Sequence, residues 1–176
     1  SKEEVLTGSL PSLPEWLWRD ADTLEDCRIQ DVNDLLPQVT DHSFEKVTRE
    51  RLKETMNGGW AYVEMIWEDG RVRAMAELHA FTTVTERKGQ IDNVVVDANF
   101  RGRRLGETLM RLLLDRAFVL HPRPLDLVQL TSNPDNPKRM QARALYSKLG
   151  FKERYLGFFV IKKDEWLEVR HNFGSR

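Results

Sequence analysis

An apolar strand that leads through a glycine- and arginine-rich turn into an amphipathic helix dominates the middle of this sequence. The strand runs from Ile91 to Val96 and the helix from Arg103 to Leu120, with Gly102 in the turn between them. This junction aims several backbone N–H groups and the positive end of a helix dipole at one place, which favours an anionic ligand such as a phosphate or pyrophosphate. A helix start that is rich in arginine but only solvated fits the same residues equally well, so the pattern alone leaves both interpretations open.

Two common phosphate-binding motifs are absent from this turn. A Walker loop needs Gly-x-x-x-x-Gly-Lys-Ser/Thr, and a dinucleotide-binding turn needs Gly-x-Gly-x-x-Gly. The run Gly102-Arg103-Arg104-Leu105-Gly106 matches neither of them. ATP and NAD are therefore not supported as ligands.

Two helices are predicted before the first strand. Thr23 and Asp26 fit a capping box, and Pro37 ends the helix that follows it. The second helix begins near Ser43 and stops at Gly58. Both helices carry apolar residues on one face, as expected for helices that pack on a sheet.

The clearest turn signal in the chain is a hairpin. Its arms, residues 60–67 and 72–85, are joined by the sequence Glu68-Asp69-Gly70. A charged turn is predicted over residues 86–90, immediately before the strand that begins at Ile91. These elements indicate antiparallel strands on one side of the sheet.

The last helix has signals at both of its ends. Asn136 and Pro137 favour its start, and Gly150 favours a left-handed end. Its predicted apolar face consists of Met140, Ala144, Leu145 and Leu149. The strand from Leu125 to Thr131 precedes it and an aromatic strand over residues 155–161 follows it, so the chain is α/β with a mixed sheet.

Composition and charge exclude several classes of protein. The chain of 176 residues has no apolar run of about 18 residues, so no membrane association is expected. No signal peptide is recognised at the N-terminus, so the cytoplasm is the predicted compartment. A single cysteine, Cys27, and four scattered histidines indicate no metal site. The net charge of −1 argues against a nucleic-acid partner.

Two segments resemble the signatures of the GNAT superfamily of N-acetyltransferases. Residues 91–107 resemble its acetyl-CoA motif, Arg/Gln-x-x-Gly-x-Gly/Ala after an apolar strand. Residues 131–133 and 139–151 resemble its second signature, in which an alanine precedes Leu-Tyr and then Gly-Phe. The two motifs occur in the expected order, and the resemblance covers roughly residues 60–162.

The resemblance implies a particular fold and domain layout. The fold would be α/β with a GNAT-like mixed, mostly antiparallel central sheet flanked by about four helices. This sheet would be splayed between the strand from Ile91 to Val96 and the strand from Leu125 to Thr131. Residues 1–176 would form one domain, with 1–14 as an irregular lead-in and 91–151 as the acetyl-CoA-binding and catalytic core.

The resemblance also implies which residues bind acetyl-CoA. The backbone of one strand segment would hydrogen-bond the pantetheine arm, and N–H groups of the following turn would bind the pyrophosphate. These residues are Val94, Val95 and Val96 in the strand, and Arg101, Gly102, Arg103, Arg104, Leu105, Gly106 and Glu107 in the turn.

Two positions depart from the family pattern. Arg104 stands where the first motif glycine is expected, a change that the fold tolerates if the helix has already begun there. Arg139 stands where many members have an asparagine that contacts the cofactor. Arg139 would either reach a CoA phosphate or face solvent, and we favour solvent.

The catalytic residues are also assigned through the resemblance. Tyr146 matches the tyrosine near the cofactor sulfur, the usual general acid, although a core tyrosine fits the same helix face. Asp92 is the first candidate for the base, and Glu77 is the second. The alternative for Asp92 is a cap or a pair with a nearby arginine. His79 is expected to be packed or hydrogen-bonded.

The implied function is transfer of an acetyl group from acetyl-CoA to a primary amine by direct attack in a ternary complex. The alternative is a non-catalytic acyl-CoA-binding regulatory module on the same fold. The predicted partner is a primary-amine acceptor, with no nucleic acid and no membrane. GNAT relatives are often dimers, so a homodimer is one state that this chain could adopt.

Overall fold

The computed structural model describes residues 26–40, 44–57, 60–120, 122–132, 135–154 and Glu165. Its helices and strands follow one another in the order α1, α2, β1, β2, β3, α3, β4, α4. Their bounds are α1 Asp26–Leu35, α2 Arg49–Asn57, β1 Trp60–Glu68, β2 Arg71–Thr82, β3 Arg87–Val96, α3 Leu105–Asp115, β4 Leu127–Leu130 and α4 Met140–Lys148. None of the helices in these ranges is long and apolar enough to cross a bilayer.

The strands form one mixed sheet in the order β1-β2-β3-β4. The β1–β2 and β2–β3 pairs are antiparallel, and the β3–β4 pair is parallel. The predicted α/β class, with a mostly antiparallel sheet and about four helices, is therefore confirmed. The strand predicted over residues 155–161 lies outside the described residues, as do Thr23 of the predicted capping box and Ser43.

The hairpin between β1 and β2 forms as predicted. Asp69 and Gly70 both have positive φ angles, 52° and 70°. Two consecutive left-handed residues are what a two-residue hairpin turn needs, because its twist then matches that of the strands. The Asp-Gly pair supplies that conformation at low cost.

Strand β3 begins at Arg87, so the prediction of a charged turn over residues 86–90 is wrong. The turn instead covers residues 83–86, where the Thr83 backbone N–H donates to the Glu86 carbonyl at 2.8 Å. Gly89 fits beneath Leu78, and a Cβ atom there would approach the Leu78 Cδ1 atom to 2.9 Å. A larger residue at Gly89 would therefore collide with the leucine side chains that pack on this part of β3.

Helix α2 begins at Arg49 and not near Ser43, because local hydrogen bonds hold the preceding residues out of the helix. The Thr48 hydroxyl accepts from the Arg51 N–H at 3.1 Å, which is an N-cap contact. The Asn33 side chain bonds both the N–H and the carbonyl of Val47, at 2.8 and 2.9 Å.

Apolar residues cover both faces of the sheet and form two cores. The α3–α4 core includes Ala76, Leu78, Ile91, Leu109, Leu113 and Tyr146. The α1 core includes Val32, Leu35, Val63, Met75 and Val95. The two cores place the α3–α4 pair on one face of the sheet and α1 on the other.

Helix α4 ends in a Schellman motif, as Gly150 predicts. Gly150 has φ +93°, its N–H donates to the Ser147 carbonyl at 3.1 Å, and the Phe151 N–H donates to the Tyr146 carbonyl at 3.0 Å. The Tyr146 and Phe151 rings meet edge to face with centroids 6.0 Å apart. This aromatic pair sets the buried face of α4.

Part of the predicted apolar face of α4 is wrong. Met140 is 68% exposed and Ala144 is exposed, whereas Leu145 and Leu149 pack partly against the α3–α4 core. The helix is rotated so that Tyr146 is buried, since a large aromatic side chain contributes more apolar area than alanine.

Candidate active site

Strand β3 extends beyond its pairing with β4. Among the described residues, that pairing covers only Lys88 to Ile91 on β3, which face Leu127 to Leu130 on β4. β3 itself continues for five more residues, to Val96. We call the space along this unpaired edge the β3–β4 gap; it agrees with the splay expected between these two strands.

The backbone of the predicted pantetheine segment lies along this gap. Val94 and Val96 pack partly against the α3–α4 core, and Val95 is buried in the α1 core. On β2, Met75 and Ala74 pair with Val95 and Val96. An extended ligand would therefore meet the opposite edge of β3, where backbone groups pair in a parallel ladder.

The turn after β3 ends in a helix start whose N-cap residue, Arg104, makes no side-chain capping hydrogen bond. Gly102 has φ +79° and Arg104, the residue that precedes α3, has φ +61° and ψ +20°. Arg104 is thus outside the helix and in the left-handed region that favours glycine. The prediction that the helix has already begun at this position is wrong, and α3 starts at Leu105.

The first residues of α3 present their N–H groups at this end of the gap. The first N–H groups of any helix have no partner within the helix, and no described side chain hydrogen-bonds them here. Gly106 packs inward, since an added Cβ atom would lie 3.5 Å from Leu145 and 3.6 Å from Val96. Its small size therefore serves the packing of α3 on the sheet and on α4.

Each arginine of the turn has a partner within the protein. Arg101 donates to the Val96 carbonyl at 3.3 Å, and Arg103 donates to Glu68 at 2.8 Å. Arg104 contacts both carboxylate oxygens of Glu107, at 3.2 and 2.9 Å. An anionic ligand would have to share these guanidinium groups with their present acceptors.

Glu107 is the centre of a charge cluster that the sequence analysis did not foresee. Lys148 of α4 also contacts Glu107, at 2.8 Å. Hydrogen bonds from Arg104 first, and then from Lys148, lower the pKa of Glu107 to about 2. The two cations outnumber the carboxylate, so the cluster leaves a positive charge beside the start of α3.

Tyr146 lies in the α3–α4 core and is 7% exposed. None of the described residues hydrogen-bonds its hydroxyl group. Burial raises the pKa of Tyr146 above its ordinary value, and the positive charge of Arg139 opposes part of that rise. The phenol is therefore protonated at neutral pH.

Arg139 is half-buried and has a hydrogen-bond partner within the protein. Its Nη2 atom donates to the Val39 carbonyl at 2.8 Å. Val39 follows the short turn Leu36–Gln38 that ends α1, so this contact connects α4 to the first helical segment. The expectation that Arg139 faces solvent is corrected, because a backbone carbonyl reaches its guanidinium group.

A polar cluster lies on the opposite face of the sheet from Tyr146. Asp92 follows Ile91 and Glu77 precedes Leu78 on their strands, so both carboxylates point away from the α3–α4 core. Glu77 and Asp92 are direct cross-strand partners. The candidate acid and the candidate bases thus occupy opposite faces of the sheet.

The carboxylates of this cluster differ in how many contacts they make. Glu77 accepts from Asn93 at 3.0 Å and contacts the His79 ring at 3.0 Å, so both its oxygens are used. Asp92 accepts only from Gln90, at 3.3 Å, among the described residues. Among the described residues Asp92 therefore has no arginine partner, and it makes fewer hydrogen bonds than Glu77 does.

His79 is hydrogen-bonded, as expected. Its contact with Glu77, together with the charges of Glu77 and Asp92, raises the pKa of His79, while burial opposes the rise. Asn93 has φ +51° at an irregularity in the β2–β3 pairing. An asparagine within an apolar strand is the one sequence signal of this bulge, because asparagine tolerates the left-handed region.

The described residues contain no group of three or more His, Cys, Asp or Glu side chains that could hold a metal ion. The chemistry present is a phenol on one face, carboxylates on the other, and an open strand edge with a helix start between them. This arrangement suits two substrates that approach from opposite faces of the sheet.

The comparisons with known proteins agree with this architecture. The model of the acetyltransferase (GNAT) family matches residues 12–151, most of the chain. The protein therefore belongs to the GNAT acetyltransferase family. Comparison with curated proteins gives no match.

Solved structures share the fold at low sequence identity. An acetyltransferase from Trypanosoma brucei is 22% identical with a TM-score of 0.61, over 79% of this chain and 96% of its own. Glucosamine-6-phosphate N-acetyltransferase from Arabidopsis thaliana is 22% identical with a TM-score of 0.63, over 84% and 98%. A predicted acetyltransferase from Clostridium acetobutylicum, solved with acetyl-CoA, is 16% identical with a TM-score of 0.62, over 86% and 97%.

Proposed function

We propose that this protein transfers an acetyl group from acetyl-CoA to a primary amine by direct attack in a ternary complex. The observation that carries this proposal is the β3–β4 gap, with the phenol of Tyr146 on one face of the sheet and the carboxylate of Asp92 on the other. Family membership supports acetyl transfer. The cytoplasm and a homodimer stay predictions from the sequence.

The residues around the gap fit acetyl-CoA. The pantetheine arm would lie along the free edge of Val94, Val95 and Val96, as an added strand does. The pyrophosphate would accept hydrogen bonds from the N–H groups at the start of α3, where the helix dipole is positive. The excess positive charge of Arg104 and Lys148 over Glu107 favours the same ligand.

Tyr146 would protonate the departing sulfur. When the amine nitrogen attacks the thioester carbon, the carbon–sulfur bond breaks and the sulfur keeps the electron pair. A free thiol has a pKa of about 8.5 and a free phenol about 10, so full proton transfer is slightly uphill. A hydrogen bond from the hydroxyl to the developing thiolate therefore supplies much of the effect.

Asp92 would bind the amine substrate and accept its proton. An alkylamine such as lysine is protonated at neutral pH and must lose a proton before it attacks. A carboxylate beside it both attracts the ammonium group and accepts that proton, directly or through a water molecule. Asp92 is favoured over Glu77, because Glu77 already holds His79 and Asn93.

The test is the release of free thiol from acetyl-CoA in the presence of pooled amines: peptides, polyamines, amino sugars and aminoglycosides. We expect release with one pool, and a fall in kcat of about a hundredfold in Tyr146→Phe. Calorimetric binding of acetyl-CoA to both proteins controls for folding. Binding without release from any pool favours the non-catalytic module, and the absence of binding contradicts the proposed site.

A further inference from the structure

Gln38 and Val39 link segments on both sides of the β3–β4 gap. The chain at Gln38 and Val39, which follows α1, is held at two points. The Gln38 side-chain oxygen accepts from the Ala98 N–H at 2.9 Å, and the Val39 carbonyl accepts from Arg139 at 2.8 Å. Ala98 follows β3, and Arg139 lies after β4. This connection links the chain segments that follow β3 and β4.

Arg139 is the N-cap residue of α4 and precedes Tyr146 by seven residues, or about two turns of an α-helix, which places the two residues on the same side of α4. Long side chains on a helix tilt toward its N-terminus, which brings the Tyr146 hydroxyl toward Arg139. The electrostatic effect of Arg139 on Tyr146 supports this placement. Arg143, one turn further along, instead contacts Glu153 at 3.1 Å.

We propose that Arg139 is a positioning residue whose guanidinium group, anchored on the Val39 carbonyl, holds a positive charge beside the Tyr146 hydroxyl. This inference rests on the proposed function, because the charge that it would stabilise develops only when CoA leaves. As the carbon–sulfur bond breaks, the sulfur takes the electron pair and receives the Tyr146 proton. The tyrosine oxygen becomes negative, and Arg139 stabilises it until a proton returns from solvent.

This role differs from a contact with a CoA phosphate. A phosphate ligand at this position would contribute to the affinity for CoA and to its dependence on salt. A charge held beside Tyr146 would instead change the acidity of the phenol and the rate of the chemical step. The two roles are separated by measuring binding, turnover and phenol titration in the same variants.

The experiment uses the full chain with fluorotyrosine in place of tyrosine, so that each phenol has a fluorine NMR signal. Fluorination makes phenols more acidic, which brings the titration to lower pH. The signal missing from Tyr146→Phe assigns Tyr146. The variants are Arg139→Gln, which removes the charge, Arg139→Lys, which keeps it, and Arg143→Gln as the matched control. Arg139→Met keeps the aliphatic stem and replaces the Gln variant if that variant does not fold.

We expect Tyr146 to titrate at higher pH in Arg139→Gln and at its wild-type position in Arg139→Lys and Arg143→Gln. In the unlabelled Arg139→Gln protein, kcat should fall about tenfold, less than for removal of a direct hydrogen-bond donor. Its Kd for CoA should stay within about threefold of the wild-type value.

An unchanged Tyr146 titration in Arg139→Gln overturns the proposal, as does an equal shift in Arg143→Gln. A tenfold or greater loss of CoA affinity with an unchanged titration assigns Arg139 to a phosphate instead. If the wild-type protein transfers no acetyl group, the proposed function fails. The fluorine titration still decides whether Arg139 is coupled to Tyr146, because it needs no turnover.

Discussion

Glu77 lies directly opposite Asp92 across β2 and β3, on the face of the sheet that points away from Tyr146. Like charges in directly opposed positions destabilise a strand pair unless other groups compensate. His79 and Asn93 compensate at Glu77, and Gln90 contacts Asp92. Because Glu77 makes more hydrogen bonds than Asp92, Asp92 is the carboxylate with more unused hydrogen-bonding capacity for a substrate.

Asp92→Asn should therefore lower kcat more than Glu77→Gln does. We expect a loss of about a hundredfold for Asp92→Asn, as for removal of a general base, and less than about tenfold for Glu77→Gln. Steady-state kinetics with the amine class found in the pooled assay measures both. Asp126→Asn is the matched control, since Asp126 pairs with Arg87 at the far end of β3. A larger loss for Glu77→Gln would reverse the assignment of the base.

The pKa of His79 should fall in Glu77→Gln, because the hydrogen bond from Glu77 is the largest cause of its rise. Asp92→Asn should lower this pKa by a smaller amount, since Asp92 acts only through its charge. Titration of the ring proton signals by NMR measures both shifts. An unchanged His79 titration in Glu77→Gln would contradict the observed pairing.

The same pairing predicts how stability depends on pH. A raised pKa means that protonated His79 stabilises the fold below its unfolded value of 6.5, and that this contribution is lost as pH rises through the folded pKa. The difference in urea midpoint between wild type and His79→Gln should therefore be largest below pH 6.5. A difference that grows toward alkaline pH would have the wrong sign.

Glu107 predicts the opposite pH dependence. Its pKa is about 2 in the folded protein against an ordinary value of 4.5, so its stabilising contribution is complete above pH 4.5 and is lost as pH falls toward 2. The urea midpoint of Glu107→Gln should be lower than that of wild type at neutral pH and approach it in acid. Glu54→Gln is the control, because Glu54 forms an exposed pair with Arg51 on α2. A constant difference across this range would exclude the cluster as its origin.

The left-handed conformation of Arg104 predicts an unusual order of stability among its variants. Arg104→Gly and Arg104→Ala both lose the contact with Glu107, but only glycine adopts φ +61° without strain. The unfolding equilibrium constant of the alanine variant should exceed that of the glycine variant by about fivefold. Urea denaturation of both variants measures the ratio. Equal stability would show that Arg104 is not held in the left-handed region.

Local signals in the sequence predict those elements whose geometry depends on neighbouring residues. The Asp69-Gly70 turn and the Gly150 helix end are set by conformations that few residues adopt, and both form as predicted. The start of β3 is different. Residues 87–90 pair with β2 on one side, and residues 88–90 also pair on the other side with β4, about forty residues later, a pairing that no local pattern records.

The candidate site likewise has features that the sequence predicts and features that it does not. The motifs predict Tyr146, Asp92 and the start of α3 as candidates, because residue type and order are visible in the chain. The distant partners of the arginines are not visible, since Glu68 and Val39 meet Arg103 and Arg139 only through tertiary packing, whereas Arg104 and Glu107 are a local pair three residues apart. The sequence therefore predicts which residues carry charge near the gap, but not which charges the protein itself satisfies.

The most direct test is a crystal structure of the protein with acetyl-CoA. The account predicts pantetheine along the unpaired edge of β3, pyrophosphate on the N–H groups at the start of α3, and the thioester sulfur beside the Tyr146 hydroxyl. Acetyl-CoA bound elsewhere, or with its sulfur remote from Tyr146, would contradict the assignment of the β3–β4 gap as the active site.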